Sequence, residues 1–179
     1  SRYIYWEARL NYDRSFGDHN LGGLLLYNQN KDYYPPSNWD YSNIPRAYVG
    51  LVSRITYDYD NRYLFEFNVG YNGSENFRKD RRFGLFPSLS AGWNIANEPF
   101  MQGVGMIDRL KLRGSIGQVG NDKHSGHRFI YIGDEYQRGT GKWIGYNFGV
   151  NIPDYTSGAR PTSLGNPDIT WSTATKYNA

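Results

Sequence analysis

Tyr63-Leu64-Phe65-Glu66-Phe67-Asn68-Val69-Gly70-Tyr71-Asn72 decides the reading of this chain, because apolar and polar residues alternate along it. Successive side chains of a β-strand point to opposite faces. One face is therefore Tyr63, Phe65, Phe67, Val69 and Tyr71, and the other carries Glu66, Asn68, Gly70 and Asn72. The tight turn Asp60-Asn61-Arg62 joins this run to a second alternating segment, Gly50 to Tyr59, and a loop leads on to a third, Phe83 to Trp93. An apolar face framed by Tyr at both ends and backed by a polar one is what a transmembrane β-strand needs when lipid lies outside and water inside.

The same period extends outward from this core. Strand one, Tyr3 to Asp13, sets Ile4, Trp6, Ala8, Leu10 and Tyr12 against Tyr5, Glu7, Arg9 and Asn11. Gly17-Asp18-His19-Asn20 turns the chain into strand two, Leu21 to Gln29, where Leu24-Leu25-Leu26 is apolar on both faces and leaves the facing open. Residues 30–46, with Pro35, Pro36 and Pro45, read as a long loop, since proline cannot sustain a sheet ladder. Strand three is Tyr48 to Tyr59, strand four starts at Tyr63, and strand five runs from Phe83, with Pro87 suiting a strand start. Alternation lapses over residues 94–109, where Asn97 to Met101 suggests a helical turn. Strand six is Leu110 to Gly117, and a long segment rich in Gly, Tyr and charge, Gln118 to Pro167, precedes strand seven. That last strand begins near Asp168, with Ile169, Trp171, Thr173, Thr175 and Tyr177 on one face.

Connections after strands one and three are short, and those after two, four and six are longer and polar, with the linker after strand five as the exception. Short turns at one end and long loops at the other characterise outer-membrane barrels. The expected sheet is an antiparallel meander. Ile4, Leu10, Leu51, Ile55, Phe65, Phe67, Leu89 and Leu112 are expected to face lipid, and Glu7, Arg9, Arg54, Asp58, Glu66, Lys111 and Arg113 the lumen.

Composition is compatible with this reading. The 179 residues include 17 Tyr, 5 Trp and 21 Gly, aromatics reach 17%, and Cys is absent, which removes disulfides and cysteine-based metal sites. Mean hydropathy is −0.73, and no run of roughly 18 apolar residues occurs, so no transmembrane helix is expected. Barrel strands need only about 9–11 residues with every second one apolar, so their average hydropathy stays low. A formal charge of +3 is too small to imply a nucleic-acid partner. Composition by itself also allows a soluble β-sandwich, such as a carbohydrate-binding module.

Four ordered runs, "RITYDYDNRYLFEFNVGYNGSENF", "RFGLFPSLSAGW", "LKLRGSIGQVGND" and "GNPDITW", between Arg54 and Trp171, resemble the barrel of SusC/RagA-type TonB-dependent outer-membrane transporters. The resemblance implies a bacterial outer-membrane location and import of oligosaccharides or peptides. It further implies energy delivered through TonB, a SusD-like surface lipoprotein over the extracellular loops, no enzymatic activity and no cofactor. About seven strands cannot close such a barrel, which has roughly 22, and an open edge is not tolerated in lipid. Residues 1–179 are therefore expected to be part of a barrel domain whose plug, TonB-binding region and remaining strands lie elsewhere in a longer chain. Ser1-Arg2-Tyr3, already in strand pattern with no signal peptide before it, and the ending Lys176-Tyr177-Asn178-Ala179 carry the same expectation.

Several residue sets invite a sharper chemical reading. Asp122, His124 and His127, with Asp134 and Glu135, have ligand chemistry, but their Gly-rich loop lacks the helical setting of a zinc site, and solvated side chains are the default. Glu7, Asp58 and Glu66 would serve a glycosidase only at a fixed separation and in differing environments. A polar lumen wall in which Arg9, Arg54, Lys111 and Arg113 pair with those acids is the simpler reading. The loop aromatics Tyr33, Tyr34, Trp39, Tyr41, Tyr131, Tyr136, Trp143 and Tyr146 are candidates for gripping substrate or partner, against packing of the loops or girdle placement. Asn72-Gly73-Ser74 reads as a turn rather than a glycosylation site. The basic run Arg78 to Arg82 suits lipopolysaccharide phosphates or a solvated loop, and is too short, with Asp80 inside it, for nucleic acid.

If the apolar face meets lipid, Phe67→Arg in the parent protein should impair folding into lipid by about 2–4 kcal/mol, and Asn68→Arg on the polar face by far less. Equal tolerance of the two in a lipid refolding titration would contradict a lipid-facing Phe67.

Overall fold

In a computed structural model, describing residues 1–33, 44–101, 108–123, 128–129, 131–133, 136–139, 146–147, 155–156, 158–161 and 164–179, the alternating segments become long strands. They are β1 (Arg2–Phe16), β2 (His19–Tyr33), β3 (Arg46–Tyr59), β4 (Tyr63–Ser74), β5 (Phe83–Asn94), β6 (Lys111–Asn121) and β11 (Ser172–Asn178). These seven form one antiparallel sheet in chain order. Between β6 and β11 the chain adds two small ladders, β7 (Tyr136–Gly139) with β10 (Gly158–Pro161) and β8 (Tyr146–Asn147) with β9 (Tyr155–Thr156).

The register aligns the faces across the sheet. Ile55 stands opposite Phe67, Phe67 opposite Leu89, and Leu89 opposite Ile116. Arg54 stands opposite Asn68, and Asn68 opposite Ser88. By these ladders all eight side chains expected to face lipid share one face, and the seven expected to face the lumen share the other. The open question of β2 is settled by its partners: Leu25 lies opposite Leu10 on the apolar face, whereas Leu24 lies opposite Arg54 and Leu26 opposite Val52 on the polar one.

No second sheet covers the apolar face among the described residues, and Leu10 is 67% and Leu112 61% exposed. The buried hydrophobic residues are only Phe77, Phe86 and Phe129 among those described. A β-sandwich needs a core shared between two sheets, so this arrangement does not favour that alternative.

The last strand begins later than its sequence pattern suggests. Asp168 N–H donates to Asn166 Oδ1 at 3.0 Å, an Asx-type turn that keeps residues 166–171 out of the ladder. Released from the strand, Trp171 does not share the face of Tyr177. Its ring packs on Phe86, a side chain of the polar face, at 5.1 Å and on Phe77 at 5.4 Å, and its Nε1 donates to the Arg82 carbonyl at 3.0 Å. A Cβ at Gly120 would lie 2.0 Å from the Phe86 ring, so a side chain there would displace that ring from the cluster.

The short-turn end is knitted by polar contacts. Gly17 adopts φ +59° in the two-residue turn, and Asp60 and Asn61 adopt φ 50° and 53°, conformations that Gly, Asp and Asn tolerate best. Asn61 N–H donates to Asp58 Oδ1 at 3.0 Å, Asp60 N–H to the Asp18 carbonyl at 2.7 Å, and Asn94 N–H to the Arg62 carbonyl at 2.7 Å. Beyond β5, short 3₁₀ turns at Ile95–Asn97 and Pro99–Met101 carry Glu98 back under the sheet, where it is buried. Trp93 Nε1 donates to Glu98 Oε1 at 2.8 Å, Arg62 Nη1 lies 3.4 Å from Oε2, and Arg62 pairs with Asp60 at 2.9 Å. Rings of His19, Tyr59, Tyr63 and Trp93 run side by side along this rim at 4.9, 6.3 and 6.5 Å.

Bonds from Trp93, Tyr63 and Arg62 hold the Glu98 carboxyl below its ordinary range. A carboxylate held low stabilises the folded rim fully above the unfolded value, about 4.3, and the contribution is lost as pH falls through the folded value. Glu98→Gln should therefore speed amide exchange at Asn94 and Glu98 near neutral pH, and the wild type and variant should converge in acid. A difference that persists undiminished at acid pH would show that charge at Glu98 does not hold the rim.

Candidate functional site: a polar wall between two rims

The polar face is a wall whose side chains hold each other. Arg54 Nε donates to Asn68 Oδ1 at 2.8 Å and lies 3.8 Å from Glu66 Oε1, which also accepts from Asn68 Nδ2 at 2.7 Å. On β1, Arg9 pairs with Glu7 at 3.1 Å, and the Tyr5 hydroxyl donates to the other Glu7 oxygen. Asp58 serves the turn amide of Asn61 and accepts from Asn20 Nδ2 at 3.2 Å. Asp58 and Glu66 thus belong to separate hydrogen-bond sets. Among the described residues no ion pair joins Lys111 or Arg113 to an acid, so the expected pairing is seen for Arg9 and Arg54. Short side chains, Ser88, Ser90, Gly92, Ser115 and Gly117, leave a hollow between the acids of β3 and β4 and the bases of β6.

At the long-loop end the connections are strapped together. Arg128, little exposed, pairs with Glu75 and donates to the carbonyls of Ile44 at 3.0 Å and Pro45 at 3.3 Å. Ser74 Oγ donates to Asp122 Oδ2 at 2.6 Å, and Asn76 Nδ2 to the Asp122 carbonyl at 3.3 Å. Arg81 pairs with Asp168 at 3.1 Å, and Arg78 with Asp80 at 2.9 Å, so part of the basic run is neutralised within the protein.

Of the loop aromatics, Tyr33 ends β2 on the apolar face, with Lys31 Nζ 5.2 Å and Arg2 Cζ 5.9 Å from its ring centre. The Tyr131 ring lies 6.2 Å from that of Phe129. Tyr136 opens β7 and Tyr146 opens β8, while Tyr34, Trp39, Tyr41 and Trp143 lie outside the described residues. His124, His127, Asp134 and Glu135 also lie outside them, and no group of three metal-ligating side chains assembles among the described residues. Asn72, Gly73 and Ser74 finish β4 instead of forming a turn. Sequence reasoning missed Glu98 and Arg128, whose ion-pair partners Arg62 and Glu75 lie 36 and 53 positions away. Only the pairing of Trp93 with a nearby acid in a lapsed alternation could have pointed to Glu98.

No family model matches the chain. It is 36% identical over 136 residues to the TonB-dependent receptor SusC of Bacteroides thetaiotaomicron, an alignment taking in 73% of this chain and 12% of that protein. It is 29% identical to a TonB-dependent receptor of Formosa agariphila, covering 96% of this chain and 18% of that one. Among solved structures, the RagAB peptide transporter matches 98% of this chain and 21% of its own with a TM-score of 0.70 at 18% identity. The RagAB peptide importer in its 'open-open' state gives a TM-score of 0.69. The chain thus spans less than a fifth of the curated relatives, 12% and 18%, and its meander has the fold of one segment of a transporter barrel. With curated relatives that are TonB-dependent receptors, among them SusC at 36% identity over 73% of this chain, the chain belongs to the SusC/RagA family of TonB-dependent receptors.

Proposed function

We propose that residues 1–179 form part of the barrel wall of an outer-membrane transporter that imports oligosaccharides or peptides with energy supplied through TonB. One observation carries the proposal: a single sheet of seven strands with an uncovered apolar face, a hollow polar face, and a ring-lined rim at the short-turn end. The apolar side chains then meet lipid and the polar ones line the lumen. Tyr63 and Tyr71 are separated along β4 by about 27 Å of strand, which a tilt of about 40° brings within an apolar band of roughly 25 Å. The free edges of β1 and β11 pair with other strands of the parent barrel, since unpaired amides have no partner in hydrocarbon. A plug fills the lumen and presents the TonB-binding region. A SusD-like lipoprotein closes over the long-loop rim, where aromatic loop residues touch it or the solute, and lipopolysaccharide surrounds the same rim. The wall transports rather than catalyses and takes no cofactor; Asp58 and Glu66 sit in separate hydrogen-bond sets, not in a shared acid–base pair.

In this placement the segment that follows β6, residues 122–167, lies outside the cell and Asp60-Asn61-Arg62 in the periplasm. Cysteines placed singly at Gly139 and Asn61 of the complete receptor, then exposed on intact cells to an impermeant maleimide, should label at the first position and not the second. Labelling at Asn61 alone would overturn the sidedness and the partner surface together.

A further inference from the structure

The apolar face carries a charge asymmetry that an uncharged hydrocarbon contact does not explain. Among the described strands its charged residues are Arg2, Arg14 and Lys31, all basic, while every Asp and Glu of the seven strands lies on the polar face. The bases sit at the ends of the band. Arg2 and Lys31 are diagonal neighbours across the β1–β2 ladder at the long-loop end, because Arg2 faces Tyr33 and Ile4 faces Lys31. Both lie over the Tyr33 ring, and two cations held that close on a face without acid repel each other. Directly below them on the same face come Ile4 and the edge-on pair Trp6 and Tyr27, with ring centres 5.4 Å apart. Cations above, rings at the boundary and an apolar slot beneath are complementary to one kind of molecule, a lipid with an anionic head.

We propose that Arg2 and Lys31 bind the phosphate of an outer-leaflet lipid whose acyl chains lie against Ile4, Trp6 and Tyr27. The inference rests on the barrel reading and adds to it a specific lipid contact. The loop Arg78 to Arg82 is the weaker candidate, since Arg78 and Arg81 are already paired with Asp80 and Asp168. A membrane-adjacent base contributes enough that losing two should weaken binding about 30-fold. The phosphate, by accepting from both cations at once, removes their mutual repulsion.

The test uses the complete receptor in phosphatidylcholine nanodiscs, titrated with lipid A and with its dephosphorylated form and read by native mass spectrometry. Wild type should bind phosphorylated lipid A far more tightly than the dephosphorylated form, Arg2→Gln with Lys31→Gln should abolish that preference, and Arg14→Gln at the opposite rim should leave it intact. An undiminished preference in the double variant would overturn the proposal. So would lowered heat stability in lipid-free detergent with unchanged lipid binding, which would assign the two cations to an acid on the adjoining barrel strand. A wild-type receptor that fails to enter nanodiscs would instead overturn the barrel reading itself.

Discussion

A backbone amide in hydrocarbon has no water to bond, so every strand of a membrane wall depends on the ladder to its neighbour. In this protein that ladder also fixes chemistry, because the side-chain period is two and a slip of one residue would exchange the two faces. The continuous register from Ile55 through Phe67 and Leu89 to Ile116 therefore does more than join strands. It keeps one surface apolar over the whole sheet and collects Arg54, Glu66, Asn68 and Ser88 on the other.

Such a sheet gains little from a core of its own. What fixes its ends are two rims of different character. At the short turns, left-handed Asp60 and Asn61, the Glu98 carboxylate and a row of rings tie successive hairpins together. At the long loops, Arg128 joins residues 44–45 to Glu75, and Trp171 closes over Phe77 and Phe86. Between them, glycine and serine at positions 88, 90, 92, 115 and 117 keep the polar face hollow.

Charge follows the same division. Acids and bases intermingle on the polar face, where Glu7 with Arg9 and Glu66 with Arg54 are only half-buried and water screens them, so each pair contributes little to stability and much to polarity. Among the described strands the apolar face carries bases alone, and only at its margins: Arg2 and Lys31 at the long-loop end and Arg14 at the short-turn end.

Most strands, their faces and the end that carries the long loops were legible in the sequence because period-two alternation and Asx and Gly turns are local properties, written within about ten residues, whereas Pro87, read as a strand start, lies inside β5. Four ordered motifs also made the family legible. The facing of Leu24, Leu25 and Leu26 was not, because a run apolar on both sides takes its register from Leu10, Arg54 and Val52 on neighbouring strands. Nor were Glu98 under Arg62, Arg128 on Glu75 or Trp171 on Phe86, contacts between residues 36, 53 and 85 positions apart. Such pairings exist only once the ladder has brought distant turns to the same rim, so periodicity set the wall and the assembled sheet alone decided what locks its ends.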